Sequence, residues 1–352
     1  MKIKTILASG AAASTLIASS AFAGGMDRAT FSPSILFEQG NYAEAALAVT
    51  LPSVTPAGLP HSFNVAESFT TLKFGYKHQF NDKLAVAFVY NNQPLGVDIN
   101  YASLGSPLRG SVSSTSATLL AKYSFTDRFS AFAGIKHQIA KGSADLTAIP
   151  ALGLTEAHSF SSDSDTGYIA GVAYEIPDIA LRVSLSYESK LDFELDSIGA
   201  TSGGNYGKTL AGSPEAYTLE FQSGIAADTL LFGSVRRANW SDANVVFAGL
   251  APLSNFEDTT AYSLGIGRKI SDEFSMSLTL SYEDKGAEPV SSLAPTNGLF
   301  GVALGGAYTG ANGVKTSMGI SYSPRGDAMT DAGTQFGDNE VITFGMKVSK
   351  SF

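Results

Sequence analysis

Hydrophobic and polar residues alternate along much of this chain with the two-residue period of a β-strand. In the run from Phe274 to Tyr282, every second residue is apolar, and the residues between them are serine or threonine. Because successive side chains of a strand point to opposite faces, each such run predicts a strand with one apolar and one polar face. After residue 23 no run of 18 apolar residues breaks this pattern, so the sequence predicts strands and no spanning helix.

Short turns separate these runs in pairs. Each turn carries aspartate or asparagine, residue types that hydrogen-bond their own backbone and tolerate tight turns. The turns are Asn81-Asp82, Thr126-Asp127, Pro177-Asp178, Ala227-Asp228, Ser271-Asp272 and Ala311-Asn312. Longer stretches rich in Gly, Ser, Pro and Asp lie between the hairpins. Short periplasmic turns that alternate with long external loops are typical of outer-membrane barrels.

The sequence therefore predicts an all-β fold, a transmembrane antiparallel β-barrel of about fourteen strands formed by residues 42–352. The predicted strands lie near 42–51, 66–80, 83–92, 112–125, 128–138, 165–176, 179–195, 216–226, 229–238, 258–270, 273–285, 298–309, 313–323 and 339–352. With an even number of strands, both ends of the barrel sequence would lie on the periplasmic side.

Both ends of the sequence favour this class. Residues 1–23 begin with two lysines, continue with small and apolar residues and end in Ala21-Phe22-Ala23, the pattern of a secretory signal peptide. The run from Val341 alternates up to Phe352, and a terminal aromatic strand is the signal that the barrel-assembly machinery reads in outer-membrane barrels. We expect the outer membrane of a Gram-negative bacterium as the location. A soluble sheet that ends in this strand is the alternative.

Composition and charge exclude several other classes. The chain has no cysteine, which excludes disulfides and thiolate metal sites. Without Lys2 and Lys4, 21 basic residues (23 − 2) stand against 32 acidic ones, a net charge of −11 that opposes nucleic-acid binding. The four histidines show neither metal-ligand spacing nor a G-x-S-x-G context. We therefore predict no enzyme activity, no metal and no cofactor.

Several motifs resemble the FadL/TodX family of outer-membrane transporters for long-chain fatty acids and aromatic hydrocarbons. One is the run from Tyr174-Glu175-Ile176-Pro177-Asp178 to Leu191-Asp192-Phe193, which closes a strand with tyrosine and a hydrophobic-Asp-Phe ending. The others are Pro214-Glu215 with Ala238-Asn239-Trp240-Ser241 downstream, and Phe336-Gly337 before the last strand. The order of these motifs and the strand count together carry the resemblance, which spans most of the chain after residue 23.

The resemblance implies that a monomer transports long-chain fatty acids or similar hydrophobic molecules. External loops would capture the molecule, the lumen would bind it, and it would leave sideways through a gap in the barrel wall. The barrel surface would contact outer-membrane lipid and lipopolysaccharide. A general or solute-specific porin for small hydrophilic molecules is the alternative, and the strand count and the apolar loops disfavour it.

Residues 24–41 precede the first predicted strand and are too irregular to span a membrane. Phe31, Ile35, Leu36 and Phe37 are its apolar residues. We predict that they form a short plug inside the lumen. The alternative is a periplasmic tail that packs on the barrel floor. Members of the family often have a longer hatch at this place.

The gap in the wall would come from a kinked strand. Pro94 and Gly96 are the candidates, since proline removes a donor from the hydrogen-bond ladder and glycine loosens a strand. The alternative is that both residues simply begin an external loop.

Two predicted loops are rich in apolar residues, which on a surface normally mark a binding site. The candidates for an external groove are Leu146, Ile149, Leu152 and Leu154 in one loop and Phe247 and Leu250 in another. The alternatives are that these residues cap the barrel or embed in lipopolysaccharide.

A ligand carboxylate would bind a cation in a partly dry place, where a charge-assisted hydrogen bond is strong. Arg182, Lys190 and Arg236 lie on predicted inward faces. The alternative is that each pairs with an acid of the lumen, as Glu188 and Asp192 flank Lys190.

Overall fold

Fourteen antiparallel strands form the wall of a closed barrel in the computed structural model, which describes residues 25–352. The predicted signal peptide, residues 1–23, lies outside the described residues. Strands β1 to β14 are Tyr42–Pro56, Phe69–Gln79, Leu84–Asn91, Arg109–Ser124, Phe129–Asp145, His158–Ile176, Leu181–Glu188, Ala216–Ala226, Thr229–Ala238, Thr259–Lys269, Phe274–Glu283, Leu299–Thr309, Lys315–Arg325 and Gln335–Ser351. Pairing of β1 with β14, from Tyr42↔Ser351 to Pro56↔Phe336, closes the barrel and confirms the predicted fold class.

Further short strands extend the wall at one end of the barrel, which we call the long-loop end. They are Gly96–Asn100, Leu191–Gly199, Asn205–Ser213, Val246–Phe247, Ala251–Pro252 and Ala328–Met329. The opposite end, the short-turn end, carries the tight turns and the junction of Asn41 with Phe352. No helix among residues 25–352 is long and apolar enough to cross a membrane.

The two faces of the wall are inverted relative to a water-soluble sheet. On β11 the outward apolar residues from Phe274 to Tyr282 are 39 to 49 % exposed, whereas the inward Ser277, Thr279 and Ser281 are at most 6 % exposed. A band of exposed Leu, Ile, Phe and Tyr residues continues around the barrel. Such a surface suits a lipid environment, and closure of the barrel pairs its first strand with its last.

Aromatic side chains bound this apolar band at both ends. At the long-loop end Tyr187 pairs across strands with Tyr217, and Tyr262 pairs with Tyr282. Several hydroxyls there donate to acidic residues, such as Tyr187 to Glu215 at 2.8 Å. Exposed aromatics at the short-turn end form the second band: Phe80, Phe125 and Phe129. Two such aromatic bands are typical of an outer-membrane barrel, where they lie at the membrane interfaces.

The short turns form as their residue types predict. The Asn81 side-chain oxygen accepts the backbone N–H of Lys83 and Leu84, at 2.9 and 3.0 Å. In the last short turn, the Asn312 oxygen accepts the N–H of Val314 at 3.1 Å. Asp228 adopts a left-handed backbone with φ of 56°, which aspartate tolerates better than most residues.

The seventh predicted strand, 179–195, is divided by a short break. β7 ends at Glu188, and the strand Leu191–Gly199 continues beside β6 in the same register, since the pairs Ile169↔Glu188 and His158↔Gly199 both belong to it. Between these pairs, Asp165 accepts the N–H of Asp192 and Asp163 accepts that of Glu194. On its other side the chain changes partner, from β8 to the strand Asn205–Ser213. Alternation with a period of two continues across the break and does not indicate this change.

A cation in the middle of the lipid-facing band should destabilise the barrel. Leu304 is 54 % exposed and lies halfway along β12 between the outward Phe300 and Tyr308. We expect Leu304→Arg to lower the free energy of unfolding by about 2 to 4 kcal/mol, since a cation at the bilayer midplane loses its hydration. Urea unfolding of protein folded into lipid vesicles would measure the change.

The matched control is Leu250→Arg, because Leu250 is 70 % exposed in a loop at the long-loop end. This change should alter the free energy of unfolding by less than about 0.5 kcal/mol. Equal effects of the two substitutions would contradict the assignment of the band to lipid.

Candidate functional site

An apolar cluster closes the long-loop end of the barrel, and we call it the loop cap. It is formed mainly by the loops after β5, β7 and β9 together with the strand Leu191–Gly199. Its main side chains are Leu146, Phe160, Leu191, Phe193, Leu195, Trp240, Val245, Phe247 and Phe256. Trp240 packs edge-on against Phe256, with ring centroids 5.6 Å apart.

The residues predicted for an external groove lie in or beside this cap. Leu146 and Phe247 are almost fully buried in it, and Leu250 is exposed. The three other candidates pack against it while partly exposed: Ile149, Leu152 and Leu154. These contacts favour the alternative in which the apolar loops cap the barrel. Capture of a ligand along the loops would require that the cap moves.

Two polar side chains, Glu156 and His158, contact the hairpin that the strands Leu191–Gly199 and Asn205–Ser213 form in the cap. The Glu156 carboxylate accepts hydrogen bonds from the Ser202 hydroxyl and from the backbone N–H of Ser202 and Thr201, which lower its pKa to about 2. His158 is buried between the edges of Tyr206 and Phe247, with ring centroids 4.5 and 5.1 Å away. Neither ring nitrogen of His158 has a hydrogen-bond partner within residues 25–352.

Residues 25–41, which we call the N-terminal segment, run along the inside of the barrel. Pro33–Phe37 form a 3-10 helix, capped by the Ser32 hydroxyl, which accepts the N–H of Ser34. Ile35 and Leu36 are buried against wall residues. A Cβ at Gly75 would lie 2.6 Å from the Ile35 methyl group, so this glycine permits the close approach. Phe31 and Phe37 pack partly against the same cluster.

The barrel wall is interrupted at the third strand. β3 ends at Asn91 opposite Ser116, and the strand resumes at Gly96 opposite Ser113. Residues 92–95 therefore span a place where β4 has only two residues. The Ser114 hydroxyl bridges this bulge, with bonds to the N–H and the carbonyl of Leu95 at 3.0 and 2.9 Å. Pro94 and Gly96, the predicted kink residues, lie in the interruption.

The interruption separates the kinked chain from β2. The backbone N–H of Asn92 still donates to the Leu72 carbonyl, and further along the strand the backbone N–H of Glu67 donates to the Asp98 carbonyl, both at 3.0 Å. Between these two contacts, at Phe69–Thr71, we find in the described chain only a 3.4 Å bond from the Asn92 side chain to the Thr70 carbonyl. Within the described residues, β2 and the kinked chain therefore share no backbone–backbone hydrogen bond over Phe69–Thr71.

The N-terminal segment pairs with the free edge inside the interruption. The Pro94 carbonyl accepts the N–H of Arg28 and Ala29 at 3.0 and 3.2 Å, and Gly96 donates to the Met26 carbonyl at 2.9 Å. Asp27 and Leu95 face each other as antiparallel bridge partners. The segment therefore satisfies backbone groups that the kink leaves without a strand partner.

The Arg28 side chain fills the opening. Its guanidinium donates to Gln93 at 2.6 Å and to Asp98 at 2.8 Å, and it lies 4.0 Å from the centre of the Phe69 ring. A Cβ at Gly96 would lie 2.6 Å from the Arg28 Nη1, so only glycine leaves room for this arginine. Asp98 is held in turn by the Ser111 hydroxyl at 2.8 Å.

Asp27 points the other way, across the lumen to β9. Its carboxylate lies 2.6 Å from Arg236 Nη1, and both side chains are less than 10 % exposed. A second buried pair, Lys136 with Glu188 at 3.1 Å, contributes to the electrostatic environment of Asp27. Asp27 and Arg28 thus fix the N-terminal segment to opposite sides of the lumen.

A cavity of about 1800 Å³, counting space continuous with solvent, lies beside the N-terminal segment, and we call it the inner cavity. Its apolar lining includes Phe31, Phe37, Val89 and Phe232. Its charged lining comprises the cations Lys73, Lys136, Arg182, Arg236 and Lys347 and the acids Glu38, Glu44 and Glu220. Pro94 of the interruption also lines it, so cavity and opening are adjacent. The cavity therefore combines apolar surface with charged groups of both signs.

A smaller cavity of about 730 Å³ lies on the other side of Asp27 and Arg28, lined by Met26, Phe69, Val97 and Leu293 among others. Residues 25–28 line this outer cavity, whereas residues 29–32 together with Ser34, Phe37 and Glu38 line the inner one. The N-terminal segment therefore separates two spaces within the barrel.

Two of the three predicted cations lie at the inner cavity. Arg182 lies 4.6 Å from the Phe37 ring centre, and Arg236 is paired with Asp27. Lys190 is on the exposed surface of the long-loop end, 2.8 Å from Asp192, and the part of the chain described here does not bring it to the inner cavity. Asp27 and Arg28 were not predicted as site residues. Their signal was a pair of adjacent opposite charges in a segment whose one other charged residue is Glu38.

The solved structures to which the chain is similar include a FadL homologue and toluene transporters. The chain is similar to a Pseudomonas aeruginosa FadL homologue, with a TM-score of 0.72, 14 % identity and coverage of 99 % of this chain and 98 % of that one. It is similar to the Pseudomonas putida toluene transporter TodX, with a TM-score of 0.67, 16 % identity and coverage of 96 and 98 %. The Ralstonia pickettii toluene transporter TbuX gives a TM-score of 0.62, 12 % identity and coverage of 96 and 98 %.

No protein-family model matches the chain, and no curated protein matches it significantly. The likeness to solved structures shows the fold, and it confirms the expectation of a FadL/TodX-like barrel at that level.

Acid should loosen the loop cap through His158, which lies ten residues before Tyr168 and hence outside the lipid-facing band. Burial lowers its pKa, while Glu156 and Asp145 oppose the shift only in part. The neutral ring is thus favoured in the closed cap. As the pH falls below about 6.5, the ring in an open cap takes up a proton, and this protonation stabilises the open cap relative to the closed one. We expect acrylamide to quench Trp240, the one tryptophan of the sequence, more strongly at pH 5.5 than at pH 8.

His158→Leu should abolish this pH dependence, and His61→Gln should keep it, because His61 is exposed and outside the cap cluster. The same increase in quenching in His158→Leu would show that another group loosens the cap.

Proposed function

We propose that this protein transports long-chain fatty acids, or similar hydrophobic molecules with a carboxylate, across the outer membrane of a Gram-negative bacterium. The molecule is captured at the long-loop end when the cap moves, binds in the inner cavity and leaves sideways through the interruption of the wall. The observation that carries the proposal is the opening between Phe69–Thr71 and residues 92–95, which lies beside the inner cavity.

Physical chemistry supports a lateral path for such a ligand. A fatty acid is an apolar rod with one charge, and its favourable destination is the lipid next to the wall, not water at the far end of the lumen. The strand interruption lies where β3 passes from the apolar band to the long-loop end, close to the outward Tyr90. Arg28 and the N-terminal segment would have to move for the path to open.

The similar structures support transport rather than catalysis as the function. The names of TodX and TbuX describe toluene transporters, which handle uncharged hydrocarbons. For this chain the cations of the inner cavity, with Arg182 and Arg236 among them, favour an anionic ligand. We therefore propose the fatty-acid class ahead of aromatic hydrocarbons.

A porin remains the second candidate because the inward wall is polar. Ser277, Thr279 and Ser281 face the lumen and would suit a hydrated solute. The N-terminal segment counts against this candidate, since it lies between the two cavities and is fixed by one buried and one half-buried ion pair.

The remaining parts of the proposal concern biogenesis and surroundings. Residues 1–23 would be removed as a signal peptide, the barrel-assembly machinery would insert the barrel, and the protein would act as a monomer. The aromatic bands would lie at the two membrane interfaces, with lipopolysaccharide around the outer one. Residues 25–41 would act as a plug, which their contacts with the wall and with Arg236 support.

Uptake by cells tests the function directly. Cells that lack their own fatty-acid transporter should take up labelled oleate faster when they express this chain, and uptake of a labelled small hydrophilic sugar should stay unchanged. Accumulation of the sugar without that of oleate would favour the porin. Equal uptake of both with and without the gene would refute both candidates.

A disulfide between the N-terminal segment and the interruption should block transport. Asp27 and Leu95 are bridge partners, and such pairs have the Cα spacing that a disulfide needs. Because the chain has no cysteine, Asp27→Cys with Leu95→Cys introduces only this bond. Oxidised cells should lose oleate uptake and regain it after reduction.

The matched control is a disulfide between β11 and β12, at the paired residues Ser275 and Ala307, neither of which lines the inner cavity. Its oxidation should leave uptake unchanged. Undiminished uptake by the oxidised Asp27–Leu95 variant would contradict movement of the segment as a step of transport.

A further inference from the structure

We propose that Asp27 is a built-in substitute for the ligand carboxylate: it occupies Arg236, and a ligand must displace it to bind there. The inference rests on the proposed function and deepens it, because it assigns the carboxylate subsite, the competitor that fills it and the event that releases the N-terminal segment.

The geometry of the pair is that of a carboxylate-binding site. The Asp27 Oδ2 lies 2.6 Å from Arg236 Nη1, within the range of a charge-assisted hydrogen bond. Arg236 lines the inner cavity, so its guanidinium is adjacent to the space in which a ligand would lie. The Arg236 Nε has no hydrogen-bond partner within residues 25–352, which leaves a donor for a second oxygen.

The local charge balance requires a carboxylate at this place. Lys136 and Arg236 are the cations, and Glu188 and Asp27 are the acids. Glu188 is part of the β7 wall, whereas Asp27 belongs to a segment that hydrogen-bonds to the wall mainly through its own backbone and Arg28. When Asp27 leaves, a buried guanidinium stays without a counter-charge, which is costly unless another anion replaces it.

This exchange distinguishes ligands by charge. A fatty acid can replace the Asp27 carboxylate, whereas an alcohol of the same chain length cannot. Displacement would also break one of the two ion pairs that fix the segment between the cavities, and only Arg28–Asp98 would remain. Binding and loosening of the segment are therefore coupled through a single carboxylate.

The test is calorimetric binding of oleate and of oleyl alcohol to the purified full-length protein in detergent. Asp27→Asn keeps the shape of the side chain and removes the competing charge. We expect it to tighten oleate binding by about tenfold to a hundredfold, the range of one charge-assisted hydrogen bond, and to leave oleyl alcohol unchanged. Arg236→Gln should remove the preference for oleate over the alcohol.

Asp98→Asn is the matched control, since it breaks the other ion pair of the same segment without touching Arg236. It should change the binding of both ligands by the same factor. Heat-dependent gel mobility would confirm that each variant is a folded barrel.

Unchanged oleate affinity in Asp27→Asn, or equal tightening for oleate and oleyl alcohol, would overturn the inference alone. Absence of binding of either ligand to the folded wild type and to every variant would overturn the proposed function and this inference with it.

Discussion

Satisfaction of backbone hydrogen bonds is the constraint on which this structure depends. In a wall that faces lipid, each N–H and carbonyl needs a partner from the protein, and closure of β1 on β14 provides it around the barrel. The wall departs from this rule at residues 92–95, where the kinked chain leaves β2. There the partners come from inside: the Ser114 hydroxyl and the backbone of residues 26–29 complete the bonding.

The N-terminal segment is thus both a structural element and a movable one. Its backbone replaces the strand pairing that the kink removes, and the buried pair Asp27–Arg236 and the half-buried pair Arg28–Asp98 fix its position. A buried ion pair contributes little net stability, because desolvation offsets most of the Coulomb attraction. Such a segment has a defined position in the resting barrel. Its release costs little free energy when the carboxylate of a ligand replaces that of Asp27.

The wall could be predicted from the sequence because its rule is local. Alternation has a period of two, and the short turns carry their own hydrogen-bonding residues, so predicted and observed bounds agree at 216–226 and 229–238. The break between β7 and the strand Leu191–Gly199 could not be predicted, since alternation continues while the neighbour on one side changes from β8 to Asn205–Ser213. Arg236 was identified as a cation, but its partner is 209 residues away in an aperiodic segment, and no local pattern indicates that pairing.

The difference between the regular strands and the irregular N-terminal segment also explains why the inner cavity combines apolar and charged side chains. Alternation allows cations such as Lys136, Arg182 and Arg236 to face the lumen without cost to the lipid face, because each strand separates the two environments. A polar lumen alone would serve a hydrated solute. The irregular segment adds the aromatic residues Phe31 and Phe37, so apolar surface and cations meet in one cavity. The regular strands therefore supply the charges, and the part of the chain without periodicity makes the cavity suitable for an amphipathic ligand.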